Sequence, residues 1–508
     1  MKELLNKEFV LRLELLDNLS RERLNGTSAL SVSDYASKLS KDRRTILKNI
    51  EALKIDIKHL GCEKYITISL SDESTIYTDI TPDFDTNYFF LYYLEHSILF
   101  NLCLEIFNET FVDLQSFATK RFYSYSTVYR KMTDLKKIVA QYDLTLDLNT
   151  STLIQGKEQH IRFFFFSLFW GSYKVLEWPF PSIDFDKLKK TLESSSLEVQ
   201  PFLEKPNMVF IWFAVTIFRI TNDHIIDEEY EYNESTFPML AKEKFLFFFS
   251  TFTKNYSQLD SLEQLNWHYE ANFLYFTLLT SQIYPLKRIP TLKLTSFVAP
   301  KTNSSTLITE AWINQFMNEF ELSLDINEYF YLYYNLLSLH SRYLYLPGPV
   351  QIINIFNDSS YADMDLFIDY ELIYDFLNNL FLDPVIAPLS SQKESLNYFY
   401  LLLISELMDS KRPALNIAVF SHSSVFQKDF FEAMLTKNLS FPVNFLPYTS
   451  EQVDFLITDV SLSKWLTKEL PTFVWNSTVE HGKITRLVSY LNKVYTEKYK
   501  VRSRSLNN

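Results

Sequence analysis

Arg44 and Lys48 stand one helical turn apart, and Ser126, Arg130, Thr133 and Lys137 repeat that spacing of three and four further along the chain. Guanidinium and ammonium groups on one helix face suit phosphate oxygens and base edges, where charge-assisted hydrogen bonds are strong. Net charge is -13, which argues against a polyanionic partner for the chain as a whole, because phosphate binding is driven by cations and counterion release. Local balance points the other way. Six Lys or Arg lie from Lys41 to Lys58 against Asp42, Glu51 and Asp56, and six from Lys120 to Lys137 against Asp134 alone. These two segments are basic islands in an acidic chain.

Each island requires a helix to hold it. In the first, Ile46, Ile50 and Leu53 recur at spacings of four and three and form a core-facing stripe; Arg44, Lys48 and Glu51 fall opposite, with Arg43 on a flank. A shorter amphipathic helix precedes it from Ser33, Ser40 suits an N-cap, and Asp42 suits the positive helix terminus. The alternation of Tyr65 to Leu70 predicts a strand of a wing. In the second island Val128, Met132, Leu135 and Val139 form the buried stripe and leave Ser126, Arg130, Thr133 and Lys137 outward, with Lys131 near the buried edge. Leu144–Leu148 and Thr152–Ile154 flank Asn149-Thr150-Ser151 as a hairpin wing. Two adjacent units of this design are suited to grip duplex DNA at two points.

At 508 residues the chain predicts several domains, and 6 Gly with 17 Pro leave little flexible linker between them. Cys62 and Cys103 offer neither a disulfide framework nor a metal set, which fits a reducing, cytoplasmic setting. The charged start Met1–Glu8 lacks the apolar segment of a signal peptide. The runs Phe163–Tyr173 and Met208–Phe218 are far short of the roughly 20 residues that span a bilayer, so they read as buried helices and no membrane partner is expected. No phosphate loop, nucleophile elbow or metal-ligand spacing is present, so the expectation is a non-enzyme without cofactor or metal.

Ser124–Ile138, the hairpin, and Gly156-Lys157-Glu158-Gln159-His160-Ile161-Arg162 running into an aromatic helix resemble the Mga-type helix-turn-helix domain. The order of parts is similar to the Mga and RofA-like family of stand-alone bacterial transcriptional regulators, with AtxA a more distant relative. That resemblance implies a mainly α multidomain chain: winged helix-turn-helix domains at 1–80 and 81–170, all-helical phosphotransferase-system (PTS) regulation-like domains at 171–288 and 289–409, and an α/β EIIB-like domain at 410–498; the basic end Lys498–Arg504 reads by itself as a disordered tail, placed at 499–508. Strand-helix-strand patterning from Leu415 independently predicts a parallel sheet: Leu415–Phe420, a helix Phe426–Leu439, then Val443–Leu446 and Val453–Thr458.

Such a regulator binds promoter DNA, forms a homodimer through its C-terminal half and activates surface-protein or virulence genes. In some members histidine phosphorylation through the phosphocarrier protein of the sugar phosphotransferase system tunes activity; His224, His268 and His340 are the candidate acceptors here. A phosphoryl group adds nearly two negative charges, enough to reorganise a helix contact. The loop after the first strand of the EIIB-like part is Ser421-His422-Ser423-Ser424, without the cysteine nucleophile that phosphotransfer through that domain uses. Two rivals stand beside this reading: an RNA-binding antiterminator, disfavoured by helical rather than β-rich N-terminal units, and a phosphotransfer protein of sugar uptake, disfavoured by the missing cysteine.

Overall fold

The computed structural model describes residues 2–24, 29–71, 74–149, 153–174, 176–194, 206–228, 242–255, 259, 264–281, 286–287, 303–349, 370–422, 425–460, 470–475 and 481–504. The chain is mostly helical and divides into two compact units. One comprises Met1–Ile283, Leu292–Thr309 and Tyr334–Ile353; the other comprises Tyr284–Thr291, Glu310–Tyr333 and Asn354–Asn508.

The first unit opens with α1 (Lys7–Leu24), β1 (Ala29–Ser31), α2 (Val32–Lys38), α3 (Arg43–His59), β2 (Ile66–Ser71) and β3 (Thr75–Ile80). The strands form an antiparallel sheet in the order β1-β3-β2, with Ile66 opposite Ile80 and Ser71 opposite Thr75. Ile66, Ile68 and Ile76 point inward at every second position, and Ile46, Ile50 and Leu53 of α3 are wholly buried. Ser40 is not the cap of α3. It sits in the turn at φ +50°, and Asp42 takes the role, its carboxylate accepting from the Thr45 amide at 2.8 Å. A carboxylate fits that place because it meets the first unpaired amides of the helix.

The second helix-turn-helix follows as α4 (Asn87–Glu95), α5 (Ile98–Phe107), α6 (Leu114–Lys120), α7 (Tyr125–Ala140), β4 (Thr145–Leu146), β5 (Ile154–Gln155) and α8 (Glu158–Tyr173). The wing is shorter than the sequence suggests, two residues a side, with Thr145 opposite Gln155 and Leu146 opposite Ile154; Thr150, Ser151 and Thr152 lie outside the described residues. Gly156 closes it at φ +142°, where a Cβ would stand 2.6 Å from Leu144 Cδ2. Behind it α8 runs nearly all-round apolar and buried, and α9 (Phe185–Ser194), α10 (Pro206–Thr221), α11 (Lys242–Asn255) and α12 (Gln264–Thr280) follow. Phe166 stacks on Trp212 of α10 at 4.0 Å.

α13 (Ser304–Glu319) and α14 (Ile326–Tyr345) contribute residues to both units. In the second unit α15 (Tyr370–Asn379) and α16 (Lys393–Ser410) pack with Trp312 and Phe316 of α13, and a small α/β module follows: β6 (Leu415–Phe420), α17 (Val425–Asn438), β7 (Val443–Phe445), β8 (Phe455–Thr458), β9 (Thr472–Val474) and α18 (His481–Arg504). All pairings are parallel, as the strand-helix-strand pattern predicts, and the strand order is β7-β6-β8-β9. Leu415, Ile417, Phe455 and Ile457 meet Leu487, Leu491 and Tyr495 of α18 in its core. The basic end is helix through Arg504 rather than a tail beginning at 499, because the Tyr495 and Tyr499 hydroxyls tie α18 to the Pro413 and Ala414 carbonyls at 3.0 Å each; residues 505–508 lie outside the described residues. Among the described residues no single helix is long and apolar enough to cross a membrane.

Candidate nucleic-acid interface

The stripe that buries α7 fixes the face it leaves outward. Val128, Met132, Leu135 and Val139 are each at most 2 % exposed, packed against α5 and α6, so Ser126, Arg130, Thr133 and Lys137 are turned to solvent. Ser124 caps the helix, its hydroxyl accepting from the Thr127 amide at 3.2 Å, and Asp113 caps α6 in the same way through Ser116 at 2.8 Å. The helix start therefore presents itself with its amides in order and its dipole positive, which favours an anion. Thr133 differs in detail from Ser126: its hydroxyl donates to the Tyr129 carbonyl at 3.1 Å, which leaves its methyl as the group it offers.

On α3, Arg43, Arg44 and Lys48 are all exposed. Among the described residues Arg44, Lys48, Arg130 and Lys137 make no ion pair, so no internal carboxylate has to be displaced when they meet a phosphate. Two other cations of the second island are committed elsewhere: Lys120 and Arg121 reach the nearly buried Glu105 on α5 at 3.1 and 3.4 Å. They hold α6 to α5, a role the charge pattern did not reveal because Glu105 lies outside the basic island. The sequence also missed an aromatic border to the cationic face, Phe122, Tyr125 and Tyr129, which are 95 %, 49 % and 55 % exposed.

Anchoring of the two N-terminal helix-turn-helix units, hereafter the first and second unit, is polar and largely buried. In the first, Asp56 near the end of α3 accepts from the Tyr93 hydroxyl at 2.6 Å and from Arg12 at 3.1 Å. In the second, Arg162 of α8 is wholly enclosed and binds Glu158, both carboxylate oxygens of Glu270 and the His224 carbonyl. Arg219 of α10 grips Glu158 with two bonds of 2.9 and 2.7 Å. Burial works against these charges, but Glu270 and Glu158 keep the Arg162 guanidinium protonated, and the two arginines hold the Glu158 carboxyl below its usual range.

The three histidines have different surroundings. His224 pairs through Nε2 with Glu109, which lies in the turn between α5 and α6. His268 is exposed on α12 beside Trp267. His340 is 0 % exposed, bonded through Nδ1 to the Thr309 hydroxyl at 2.8 Å, and burial pushes its imidazole down to about 3, so it is neutral and enclosed. In the α/β module the Asp459 carboxylate accepts from the Ser421 hydroxyl at 2.9 Å and the His422 amide at 2.8 Å; Ser423 and Ser424 lie outside the described residues.

Comparison with known proteins bears on the second unit directly. Residues 82–169, from α4 through most of α8, match the family model described as the Mga helix-turn-helix domain. Over 246 residues the chain is 26 % identical to a protein of Streptococcus pneumoniae serotype 4 (strain ATCC BAA-334 / TIGR4) described as "Putative trans-acting regulator". The aligned stretch covers 48 % of this chain and 48 % of that relative, so the match spans about half the length of each. The outward cationic face of α7 thus lies within the segment that matches the Mga helix-turn-helix domain, and the chain resembles the Mga-like transcriptional regulators.

Proposed function

We propose that this protein is a transcriptional regulator that binds promoter duplex DNA through two winged helix-turn-helix units, α7 being one recognition helix and α3 the other. The observation that carries this reading is the exposed set Arg130 and Lys137, without an ion pair among the described residues, on a capped helix backed by a packed three-helix core. Thr133 lies between these cations and Ser126 one turn before Arg130 on the same face, and Arg43, Arg44 and Lys48 supply a second contact. In this reading the helices of 171–288 and 289–409 act as regulation domains. His224 and His268 are the histidines a phosphocarrier protein can reach, and His224 adjoins the helix-turn-helix through Glu109. The module 410–498 serves assembly: Phe430 and Tyr490 expose 42 % and 41 % of their surface there, which supports a homodimer through the C-terminal half.

The test is the salt dependence of duplex binding by the full chain. Arg130→Ala with Lys137→Ala is expected to weaken binding and to lower the slope of log affinity against log salt by about 0.9 for each phosphate that is no longer neutralised. An unchanged slope in a folded double variant would overturn the assignment of α7.

A further inference from the structure

Tyr125 and Tyr129 occupy an unexpected place. At 100° per residue Tyr129 lies about 40° from Thr133 on the helical wheel and Tyr125 about 40° beyond Tyr129, so the two rings border the outward face. They stack on each other with centroids 6.3 Å apart and planes inclined at 25°. Both stay half in water; Ser126 and Arg130, the residues that follow them in sequence, are exposed, as is Lys136 two turns beyond Tyr129. Phe122, in the turn just before the helix, extends the patch from a left-handed backbone at φ +58° that an unstrained turn would give to glycine. Strain and apolar exposure concentrate at the tip of the unit that leads into its recognition helix.

The cations around the rings call for an anionic partner, and the rings call for an apolar feature within it. A major groove has one such feature, the C5 methyl of thymine, while its other edge groups are donors and acceptors. Thr133, one helical turn beyond Tyr129 and exposed, spends its hydroxyl proton on the Tyr129 carbonyl and continues the same strip with a methyl-bearing side chain. We infer that Tyr125 and Tyr129 of α7 pack against thymine methyl groups, so that this helix prefers thymine at the base steps under its N-terminal half. The inference rests on the DNA-binding reading above and specifies what that site reads.

The test takes a duplex recovered by the full chain from a random-sequence pool and synthesises it once with thymine and once with deoxyuridine, which lacks only the C5 methyl. Wild-type protein is expected to bind the thymine duplex about fourfold more tightly for each methyl contacted. Tyr129→Ala and Tyr125→Ala should shrink that ratio, Tyr129→Phe should keep it, and Lys137→Ala should weaken binding to both duplexes equally. Equal wild-type affinity for the two duplexes, with salt dependence intact, overturns thymine recognition and leaves the DNA reading standing. Tyrosine variants that bind both duplexes as wild type does would also overturn it, by assigning the rings to a protein partner. Absence of binding to any duplex removes both proposals.

Discussion

The two helix-turn-helix units share a turn and differ in what they place on it. In both, the short helix ends in a left-handed residue, Ser40 at φ +50° in the first and Phe122 at φ +58° in the second, closed by Lys41 donating to the Ala36 carbonyl and Tyr123 to the Ala118 carbonyl, each at 2.9 Å. The geometry is that of a helix C-terminus normally completed by glycine. Ser40 is a small polar residue and Phe122 a bare ring. The outer face of α3 carries Arg44, Lys48 and Glu51, with Glu51 bonded to Lys54 at 2.9 Å, whereas that of α7 carries Arg130 and Lys137 beside two tyrosines. One backbone design therefore supports a mainly electrostatic surface in one unit and a mixed cationic and aromatic surface in the other.

Their anchorage differs as well, and the largest effects are expected there. Arg162→Met leaves Glu270 enclosed without its counter-charge and should cost about 3–5 kcal/mol, read as a lowered unfolding midpoint. The second unit, which α8 completes, should be the first to gain protease sensitivity. Asp56→Ala strands the Tyr93 hydroxyl of α4 and the Arg12 guanidinium of α1 and should cost about 2–3 kcal/mol, with amide exchange rising most in the first unit and in the part of α4 that this bond ties to α3. Equal loosening of both units by either change would break the distinction.

Smaller effects separate the turns and caps. Phe122→Gly relieves the left-handed strain and should raise stability by about 1 kcal/mol while reducing duplex binding, a trade between stability and function measurable by melting and titration. α3 is capped by a titratable group, Asp42, and α7 by Ser124. Hydrogen bonds from the Thr45 side chain and backbone hold the Asp42 carboxyl below the usual aspartate range. Its stabilising effect is therefore present at neutral pH and disappears as pH falls through that lowered value. Acid titration followed by amide exchange should loosen the start of α3, and Asp42→Asn should flatten that response; the start of α7 should not share it through its own cap.

Much of this arrangement is legible in the chain itself. Spacings of three and four separate Ile46, Ile50 and Leu53 from Arg44 and Lys48, and Val128, Met132, Leu135 and Val139 from Arg130 and Lys137, because a helix with one apolar stripe has one packed solution. The tyrosines escape the same logic: Tyr125 and Tyr129 sit close to the buried arc, and an aromatic residue there belongs to core or surface according to how far the neighbouring helix reaches. The cap of α3 falls on Asp42 instead of Ser40 for a local reason, since Ser and Asp both cap well and only the path of the turn chooses between them.

Sequence alone determined the helix faces, the basic islands and the parallel character of the last sheet, since each follows from the pattern along one continuous stretch of chain. Tertiary structure decided which charges are spent internally. Lys120 and Arg121 on Glu105, Arg162 between Glu158 and Glu270, and Asp56 between Arg12 and Tyr93 are pairings in which most partners lie far apart in the chain. It also set the Tyr142 ring against Gly348, where a Cβ would stand 2.4 Å from the ring. Such contacts depend on which segments the packed core brings together, and a charge reveals whether it faces an inner carboxylate or an outer phosphate only when its surroundings are in place.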